Sequence, residues 1–454
     1  MRIARRETLA VTVGLALVAA AFVLPRVHLG VDPRRDIGLE RFGSHAGAAP
    51  IFGYWDVHAG WGTLPAIVLA VAVVAWGPVV AQRLSWRALT LCSWATCCAW
   101  AFSLAMIDGW QRGFAGRLTT RDEYLPVVPG ITDIPGTVRT FAGRIVDFQP
   151  NSWVTHVSGH PPGALLTFVW LDRIGLHGGA WAGLWCLLVG SSAAAAVVTA
   201  VRALADERLA RRAAPFVAVA PTAIWIAVSA DGYFAGVAAW GIALLAVAVH
   251  AAPRFPALVA GAAGLLLGWG VFLNYGLALM ALPALAVLVS AADWRAALRA
   301  VAPAVLAAVA VAVSFAIAGF FWFDGYTLVQ QRYWQGVAKD RPFQYWSWAN
   351  LACVACAVGL GGVAGLSRVL DPVLDRAGGF RRSGFQLLLL AVVAAIVCAD
   401  LSMLSKAETE RIWLPFTSWL TAAPALLSPR THRLWLAVNA TGALLLNSTI
   451  FTNW

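Results

Sequence analysis

The amino-acid sequence predicts an all-α protein that crosses a membrane many times. Of its 454 residues, 60% are hydrophobic and only 12% are charged, whereas soluble domains average about 25% charged residues. Apolar stretches near 20 residues, about the length that spans a bilayer as a helix, recur along the whole chain. Most of the 23 tryptophans lie near the ends of these stretches or in outer loops, as in an aromatic belt. We therefore expect a multi-pass protein of the plasma membrane.

The net charge and the cysteines exclude two other classes of protein. The net charge of +11 is explained by loop arginines that orient membrane helices. Because no aromatic–basic nucleic-acid module is visible, we expect no nucleic-acid partner. All seven cysteines fall inside apolar stretches, whereas a disulfide framework would place them in outer loops. We expect them to pack as small apolar side chains.

About thirteen transmembrane helices are predicted from the apolar stretches. The first is uncleaved, because Phe22-Val23-Leu24-Pro25 is a poor signal-peptide cleavage site. The predicted helices cover residues 8–24, 63–82, 87–107, 179–201, 213–229, 233–250, 256–273, 275–291, 299–320, 346–366, 384–400, 411–427 and 433–449.

Segment 163–177 decides the orientation of the later helices. It is short and contains Asp172 and Arg173. If it crossed the membrane, every later arginine-rich loop, from 202–212 to 430–433, would lie outside. If it is interfacial or re-entrant, these loops lie inside, as the positive-inside rule requires. We therefore predict a cytoplasmic N-terminus, with loops 25–62, 108–162, 321–345 and 400–411 outside.

The outer loop 108–162 is the most informative stretch. It carries Asp122-Glu123-Tyr124 and ends at His160-Pro161-Pro162-Gly163. Loops this long usually carry function or are disordered, and this one has too many aromatic residues for a disordered spacer. We expect it to hold short helices and the edge of an active site. The alternatives are a solvated ion pair between Arg121 and the acids, and a polar helix cap at His160.

Asp231 is flanked by long apolar runs. An ionisable group this close to the hydrocarbon is costly and indicates a function. The alternative is an ordinary Asp-Gly turn.

Loop 321–345 places Arg332, Lys339 and Arg341 among tryptophans, tyrosines and phenylalanines. Arginine binds phosphate through two parallel hydrogen bonds, and aromatic faces pack on sugars, so the loop suits a sugar phosphate. The alternative is an interfacial belt with snorkelling cations.

Four charges in six residues precede the helix predicted at 411–427: Lys406, Glu408, Glu410 and Arg411. Glu408 and Arg411 have the i,i+3 spacing of a helical ion pair. The alternative is a helix N-terminus that favours acids.

The first outer loop contains Asp32, Asp36, Glu40, Asp56 and His58. Asp56 and His58 could bind a metal, but two ligands do not make a site. We predict no metal site or cofactor, although a divalent metal stays possible. The sequence has no Walker A motif, no GxGxxG after a strand and no GxSxG.

Asp122-Glu123-Tyr124, a long outer loop and His160-Pro161-Pro162-Gly163 together resemble the PMT-like branch of the GT-C-fold membrane glycosyltransferases. This branch includes protein O-mannosyltransferases and lipid A aminoarabinose transferases. Asp231 matches the family's second outer acid. The resemblance covers about residues 90–250. Two extra helices precede this module, and Gly163 stands where leucine is usual. Arg-Pro-Phe-Gln-Tyr-Trp at 341–346 and Glu-Thr-Glu-Arg-Ile-Trp at 408–413 are similar to segments of actinobacterial multi-pass proteins.

The resemblance implies three regions. Residues 1–86 form an N-terminal transmembrane pair with an outer loop, residues 87–291 form the catalytic module, and residues 292–454 add the C-terminal helices with outer loops 321–345 and 400–411.

The resemblance also implies transfer of a sugar, with inversion, from a polyprenyl-phosphate donor to an extracytoplasmic glycan, lipid or protein. Asp122 would be the general base, and Glu123 or Asp231 would orient the acceptor or stabilise the positive sugar. The phosphate would be held by Arg332, Lys339, Arg341 or Arg411. Tyr124, His160, Glu408 and Glu410 complete the expected substrate site.

Two other classes stay open. In a transporter or flippase for a lipid-linked or small solute the acids would line a path, but the inverted repeat expected of such proteins is not visible. In a non-catalytic scaffold of envelope assembly the outer acids would be incidental.

Overall fold

The computed structural model describes residues 4–27, 47–371, 373–374, 380–381 and 383–453. Over these residues the chain is mostly helical, with only two short antiparallel strand pairs. The predicted all-α class is confirmed. Asp32, Asp36 and Glu40 of the first outer loop lie outside the described residues.

Ten described α-helices precede residue 251. They are α1 Arg5–Val23, α2 Thr63–Arg83, α3 Trp86–Ala105, α4 Ile134–Thr140, α5 Thr155–Ser158, α6 Pro162–Arg173, α7 Gly179–Ser191, α8 Ala193–Leu204, α9 Glu207–Ala218 and α10 Ala230–His250.

In the described part of the chain, nine more α-helices follow. They are α11 Pro256–Val271, α12 Ala281–Val289, α13 Trp294–Ile317, α14 Trp322–Gln335, α15 Phe343–Leu366, α16 Gly384–Leu401, α17 Thr409–Ile412, α18 Leu414–Leu420 and α19 His432–Thr449. The strands are β1 Gly53–Trp55, β2 Val373–Leu374, β3 Phe380–Arg381 and β4 Ile450–Thr452, with β1 paired to β4 and β2 to β3.

Eight described helices are long and apolar enough to cross a membrane, so the chain is a multi-pass membrane protein. They are Arg5–Arg26, Thr63–Arg83, Trp86–Ala105, Gly179–Leu204, Ala230–His250, Trp294–Ile317, Phe343–Leu366 and Gly384–Leu401. Two further predicted crossings are shorter apolar helices, Pro256–Val271 and Tyr275–Val289. Another predicted crossing is α19.

The last two predicted crossings, 213–229 and 411–427, are broken rather than continuous helices. The first passes from α9 into a 3₁₀ turn that begins at Pro221, and the second joins α17, α18 and a 3₁₀ turn containing Pro424. Proline lacks the amide proton that a continuous helix needs. Both segments are buried almost throughout, and irregular backbone is tolerated at membrane depth where protein surrounds it.

Helix α10 is the centre of the bundle. It packs against α7, α8, α11 and α18, and almost all of its residues are buried. A helix that is apolar on all sides is stable only inside a larger assembly. At the periphery, side chains such as Leu9, Val71 and Leu306 are exposed, as expected for surfaces that contact lipid.

The loops that were predicted to share a face of the membrane do lie together. The β1–β4 pairing and the hydrogen bond from the His58 amide to the Ser448 carbonyl join the first outer loop to the end of α19. Arg112, in loop 108–162, donates to the Thr452 carbonyl. At the other end of the bundle, Arg211 donates to the Ala81 and Leu84 carbonyls.

Both ends of segment 163–177 lie at loop 108–162. Helix α6 has 12 residues, and its length of about 18 Å is too short for a hydrocarbon core of about 30 Å. Arg173 at its end donates to the Ile131 carbonyl, and a Cβ at Gly179 would lie 1.8 Å from the Ala115 carbonyl oxygen. Ile131 and Ala115 both belong to loop 108–162, so both ends of the segment contact this loop. That the segment does not cross the membrane stays a prediction.

A labelling experiment tests the predicted orientation. In a protein whose seven cysteines are replaced by alanine, an impermeant maleimide should label Ala59→Cys in intact cells. It should label Ala205→Cys only after permeabilisation, because the arginine-rich loop is predicted to lie inside. Labelling of Ala205→Cys in intact cells would reverse every later assignment.

Candidate active site

A buried ionic network lies where loops 108–162 and 400–411 meet α10. Nη1 of Arg411 donates to Oδ2 of Asp231 at 2.5 Å, and Nη2 of Arg411 donates to Oε2 of Glu408 at 2.9 Å. The other carboxylate oxygen of Glu408 accepts from Arg341 at 2.7 Å. Arg411, Asp231 and Arg341 are buried. We call these four residues the ionic network. It alternates two arginines with two carboxylates and links three distant segments of the chain.

The local backbone positions both carboxylates. Asp231 is in the first turn of α10, where the helix dipole favours an anion. Only glycine fits next to it, because a Cβ at Gly232 would lie 2.3 Å from the Ile226 carbonyl oxygen. Ala407 and Glu408 have φ of +68° and +62°, a left-handed conformation that non-glycine residues rarely adopt. Such strain clusters at functional sites.

Loop 108–162 brings further side chains to α10. Oε1 of Glu123 lies 3.4 Å from Nδ1 of His156. The Tyr124 hydroxyl lies 2.8 Å from Nδ1 of His160, which is also 2.8 Å from the His156 carbonyl oxygen. The His160 ring packs on Phe234 of α10, with centroids 5.4 Å apart. The corner at Pro161 therefore holds His160 against the turn of helix that carries Asp231.

Burial and neighbouring charges separate the pKa values of the carboxyls. Burial raises the pKa of Glu123 to about 8, against an opposing effect of Arg411, and burial raises the pKa of Glu410 to about 7. Burial would also raise the pKa of Glu408, but Arg341 and Arg411 outweigh it and lower that pKa to about 2. Glu408 is therefore ionised at neutral pH and Glu123 is protonated.

The contact between Glu123 and His156 is accordingly a neutral one. Burial, Arg411 and His160 lower the pKa of His156 well below its usual range, so its imidazole carries no charge at pH 7. Because the neighbouring carboxyl is also neutral, this 3.4 Å contact is not an ion pair at pH 7.

The structure brings together seven of the residues expected at the site: Glu123, Tyr124, His160, Asp231, Arg341, Glu408 and Arg411. Glu410 is adjacent, and its Oε1 accepts from the Phe52 amide at 2.9 Å. Asp122 lies at the rim, with its side chain about half exposed and hydrogen-bonded by the Thr155 hydroxyl.

Two of the expected phosphate ligands lie apart from the network. Arg332 pairs with Asp147 at 2.5 Å and donates to the Trp153 carbonyl. Lys339 is exposed in the short 3₁₀ turn after α14.

Two residues that the sequence did not single out belong to the site. His156 is one helical turn before His160, a spacing that could have indicated it. Arg117 is buried, and its Nη2 has no hydrogen-bond partner among the described residues. Burial and the nearby Arg112 lower the pKa of Arg117 to about 9, while Glu123 opposes this. No feature of the sequence around Arg117 indicates its burial.

Both ring nitrogens of His58 contact oxygen atoms of the protein. Nε2 of His58 lies 2.9 Å from Oδ1 of Asp108, and its Nδ1 lies 3.0 Å from the Asp56 carbonyl oxygen. The side-chain hydrogen bond to Asp108 raises the pKa of His58. Over the described part of the chain, no group of three His, Cys, Asp or Glu side chains has the arrangement of a metal site.

Comparison with solved structures identifies the fold. The oligosaccharyltransferase of Archaeoglobus fulgidus, solved with zinc and sulfate, superposes with a TM-score of 0.50 and 14% sequence identity over 78% of this chain and 53% of its own. ArnT of Cupriavidus metallidurans bound to undecaprenyl phosphate gives a TM-score of 0.48 and 17% identity over 74% of this chain and 60% of its own. The chain spans just over half the length of these proteins. It has the fold of the GT-C membrane glycosyltransferases, as expected.

No family model matches the sequence, and no match to a curated protein was found.

The raised pKa of Glu123 predicts a pH-dependent stability. Between pH 4.5 and about 8 the folded protein keeps this proton while the unfolded chain releases it, so the folded state binds more protons. The free energy of unfolding therefore falls as pH rises through this window. Glu123→Gln cannot titrate, so its Tm relative to wild type should increase from pH 5 to pH 8 in detergent.

The matched control is Glu207→Gln, on the opposite face. The hydrogen bond from Arg211 lowers the pKa of Glu207, so its contribution is present above its unfolded pKa and stays constant over the same window. A Tm difference for Glu123→Gln that does not change with pH would contradict the assignment.

Arg411 should be far more important for stability than an exposed arginine. Arg411→Ala leaves two carboxylates without their shared cation, and breaking a buried pair costs about 3–5 kcal/mol. Arg299→Ala, which breaks an exposed pair with Asp293, should cost about 0–1 kcal/mol. Asp231→Asn in the Arg411→Ala protein should recover part of the loss. Equal destabilisation by the two single changes, measured by thermal unfolding in detergent, would argue against the network.

Proposed function

We propose that this protein transfers a sugar from a polyprenyl-phosphate donor to an acceptor outside the cytoplasm. The observation that carries the proposal is the buried bridge of Arg411 between Asp231 and Glu408, beside Glu123, at the face where loop 108–162 covers the bundle. This bridge lies in a protein with the GT-C fold. One protein that superposes on the chain was solved with undecaprenyl phosphate.

The charge balance of the site favours an anionic ligand. Arg341 and Arg411 form ion pairs with Glu408 and Asp231. Arg117 has no carboxylate within ion-pair distance among the described residues, and burial keeps the nearby Glu123 protonated, so a phosphate would neutralise the charge of Arg117. Arg117 is the best placed ligand, because its Nη2 has no hydrogen-bond partner among the described residues.

The expected phosphate ligands then differ in their proposed roles. Arg411 contributes charge while it holds Asp231. Arg341 is held by Glu408 and the Lys406 carbonyl and positions Glu408. Arg332 and Lys339, which lie apart from the network, would contact the donor only at its outer end.

Asp122 is the proposed general base. An acceptor hydroxyl arrives from the aqueous side, and the half-exposed Asp122 can meet it there, whereas Glu123 is buried. As the acceptor oxygen bonds to the anomeric carbon, the bond from that carbon to the phosphate oxygen breaks and the hydroxyl proton passes to Asp122. A carboxylate is a weak base for an alcohol, so proton loss is concerted with attack. In-line attack inverts the anomeric centre.

The leaving group is the polyprenyl phosphate itself. Guanidinium groups at Arg117 and Arg411 can neutralise its charge as it departs. The proposal therefore does not require a divalent metal. Glu123, which burial keeps protonated, orients the acceptor, and Asp231 stabilises the positive charge that develops on the sugar.

Removal of the proposed base tests the chemistry. Asp122→Asn keeps the size of the side chain and removes proton acceptance, so turnover should fall by about 10²–10⁴ with unchanged donor binding. Asp172→Asn is the matched control, an outer-face aspartate paired with His177, and should keep full activity. The assay uses purified protein, a polyprenyl-phosphate sugar and cell-envelope acceptors. Full activity of Asp122→Asn would remove Asp122 from the mechanism.

The same preparation distinguishes an enzyme from a transporter. Wild-type protein that forms no glycosidic bond with any tested donor, yet moves the lipid across vesicles, would overturn the proposed transfer.

A further inference from the structure

A cavity lined by arginines lies at the opposite end of the bundle from the ionic network. Its volume is about 390 Å³, within the usual range for a small ligand. It is enclosed by the end of α2, helix α9 and the beginning of α19, and it is lined by Gln82, Arg208, Arg211, Arg212 and His432 among others. These elements adjoin loops that were all predicted to lie on the cytoplasmic side.

The arginines around this cavity outnumber the acidic residues that could pair with them. Segment 202–212 contains four arginines and two acids, a surplus of two positive charges. Glu207 already binds Arg202 at 2.7 Å and Arg211 at 2.6 Å, and Asp206 caps α9 through the Leu209 amide.

Arg211 has a structural role in the cavity wall. Besides Glu207, it holds the Ala81 and Leu84 carbonyls at 2.7 and 2.9 Å and so ties α9 to the end of α2. Arg208 and Arg212, by contrast, have no carboxylate within ion-pair distance over the described residues. Arg208 is exposed and Arg212 partly buried, so a ligand can reach both.

Orientation of the helices alone does not require this arrangement. The positive-inside rule needs cations in the loop, but it does not need three of them to line one cavity. The apolar part of the wall is formed by Pro78, Pro215, Phe216 and Leu436. The cavity therefore combines arginines with an apolar wall, at a helix end that adjoins the membrane surface. The arginines suit a phosphate group, and the apolar wall suits the hydrocarbon attached to it.

We propose that this cavity binds the headgroup of an anionic phospholipid of the cytoplasmic leaflet. Arg208 and Arg212 bind the phosphodiester through charge-assisted hydrogen bonds, Gln82 and His432 lie beside the headgroup, and the first acyl carbons pack on Phe216 and Pro215. Basic pockets between membrane helices on this side are a known form of lipid recognition. The proposal is independent of the glycosyl transfer.

Lipid titration of the purified, delipidated protein tests the site. Phosphatidylglycerol should raise the Tm in a saturable way, and phosphatidylcholine, whose headgroup has no net charge, should raise it much less. The Arg208→Gln/Arg212→Gln protein should bind phosphatidylglycerol about tenfold or more weakly, since two charge-assisted contacts are lost. Native mass spectrometry should show one retained lipid fewer.

The matched control is Arg295→Gln/Arg299→Gln, two arginines of another predicted inner loop that do not line the cavity. It should bind phosphatidylglycerol like wild type. If the cavity double variant does not fold, the single change Arg208→Gln at an exposed position replaces it. An equal response to phosphatidylcholine, or an unchanged response in the cavity variant, would overturn the proposal. The same Tm shift with inorganic phosphate alone would show a site for soluble phosphate instead of a lipid.

Discussion

The guanidinium of Arg411 is the constraint on which the half of the structure that contains loop 108–162 depends. It sits between two carboxylates that come from α10 and from the segment before α17, and Arg341 extends the chain of charges towards α15. Isolated buried charges are costly, and their mutual attraction offsets the cost only in good geometry. Any movement of α10 relative to the C-terminal helices would therefore break an ion pair. The network thus fixes the position of α10 relative to these helices.

Beside the ionic network lie groups that burial keeps neutral. Burial raises the pKa of Glu123 against the opposing effects of Arg411 and Arg117, and it lowers the pKa of His156. The site thus separates fixed ion pairs from a carboxyl and a histidine that can exchange a proton. Enzymes commonly hold acid and base groups in such contrasting environments.

The sequence predicted the membrane class, the positions of most helices and the long folded loop, because these follow from local hydropathy and from proline and aromatic content. It could not distinguish Arg341 from Arg332 or Lys339, since all three have the same local surroundings and only tertiary packing buries Arg341. The breaks at 213–229 and 411–427 were missed because a hydropathy window measures composition and not the hydrogen bonds lost at proline. Arg117 was missed because its burial depends on contacts distant in sequence.

The distance along the chain between Asp231 and Arg411 has a consequence for biosynthesis. The two residues are 180 positions apart, and at about 5–20 residues per second a ribosome needs roughly 10–35 s to make the second after the first. During this interval α10 is already made, but its aspartate has no partner cation. The ion pair that joins α10 to α17 can therefore form only after most of the protein has been made.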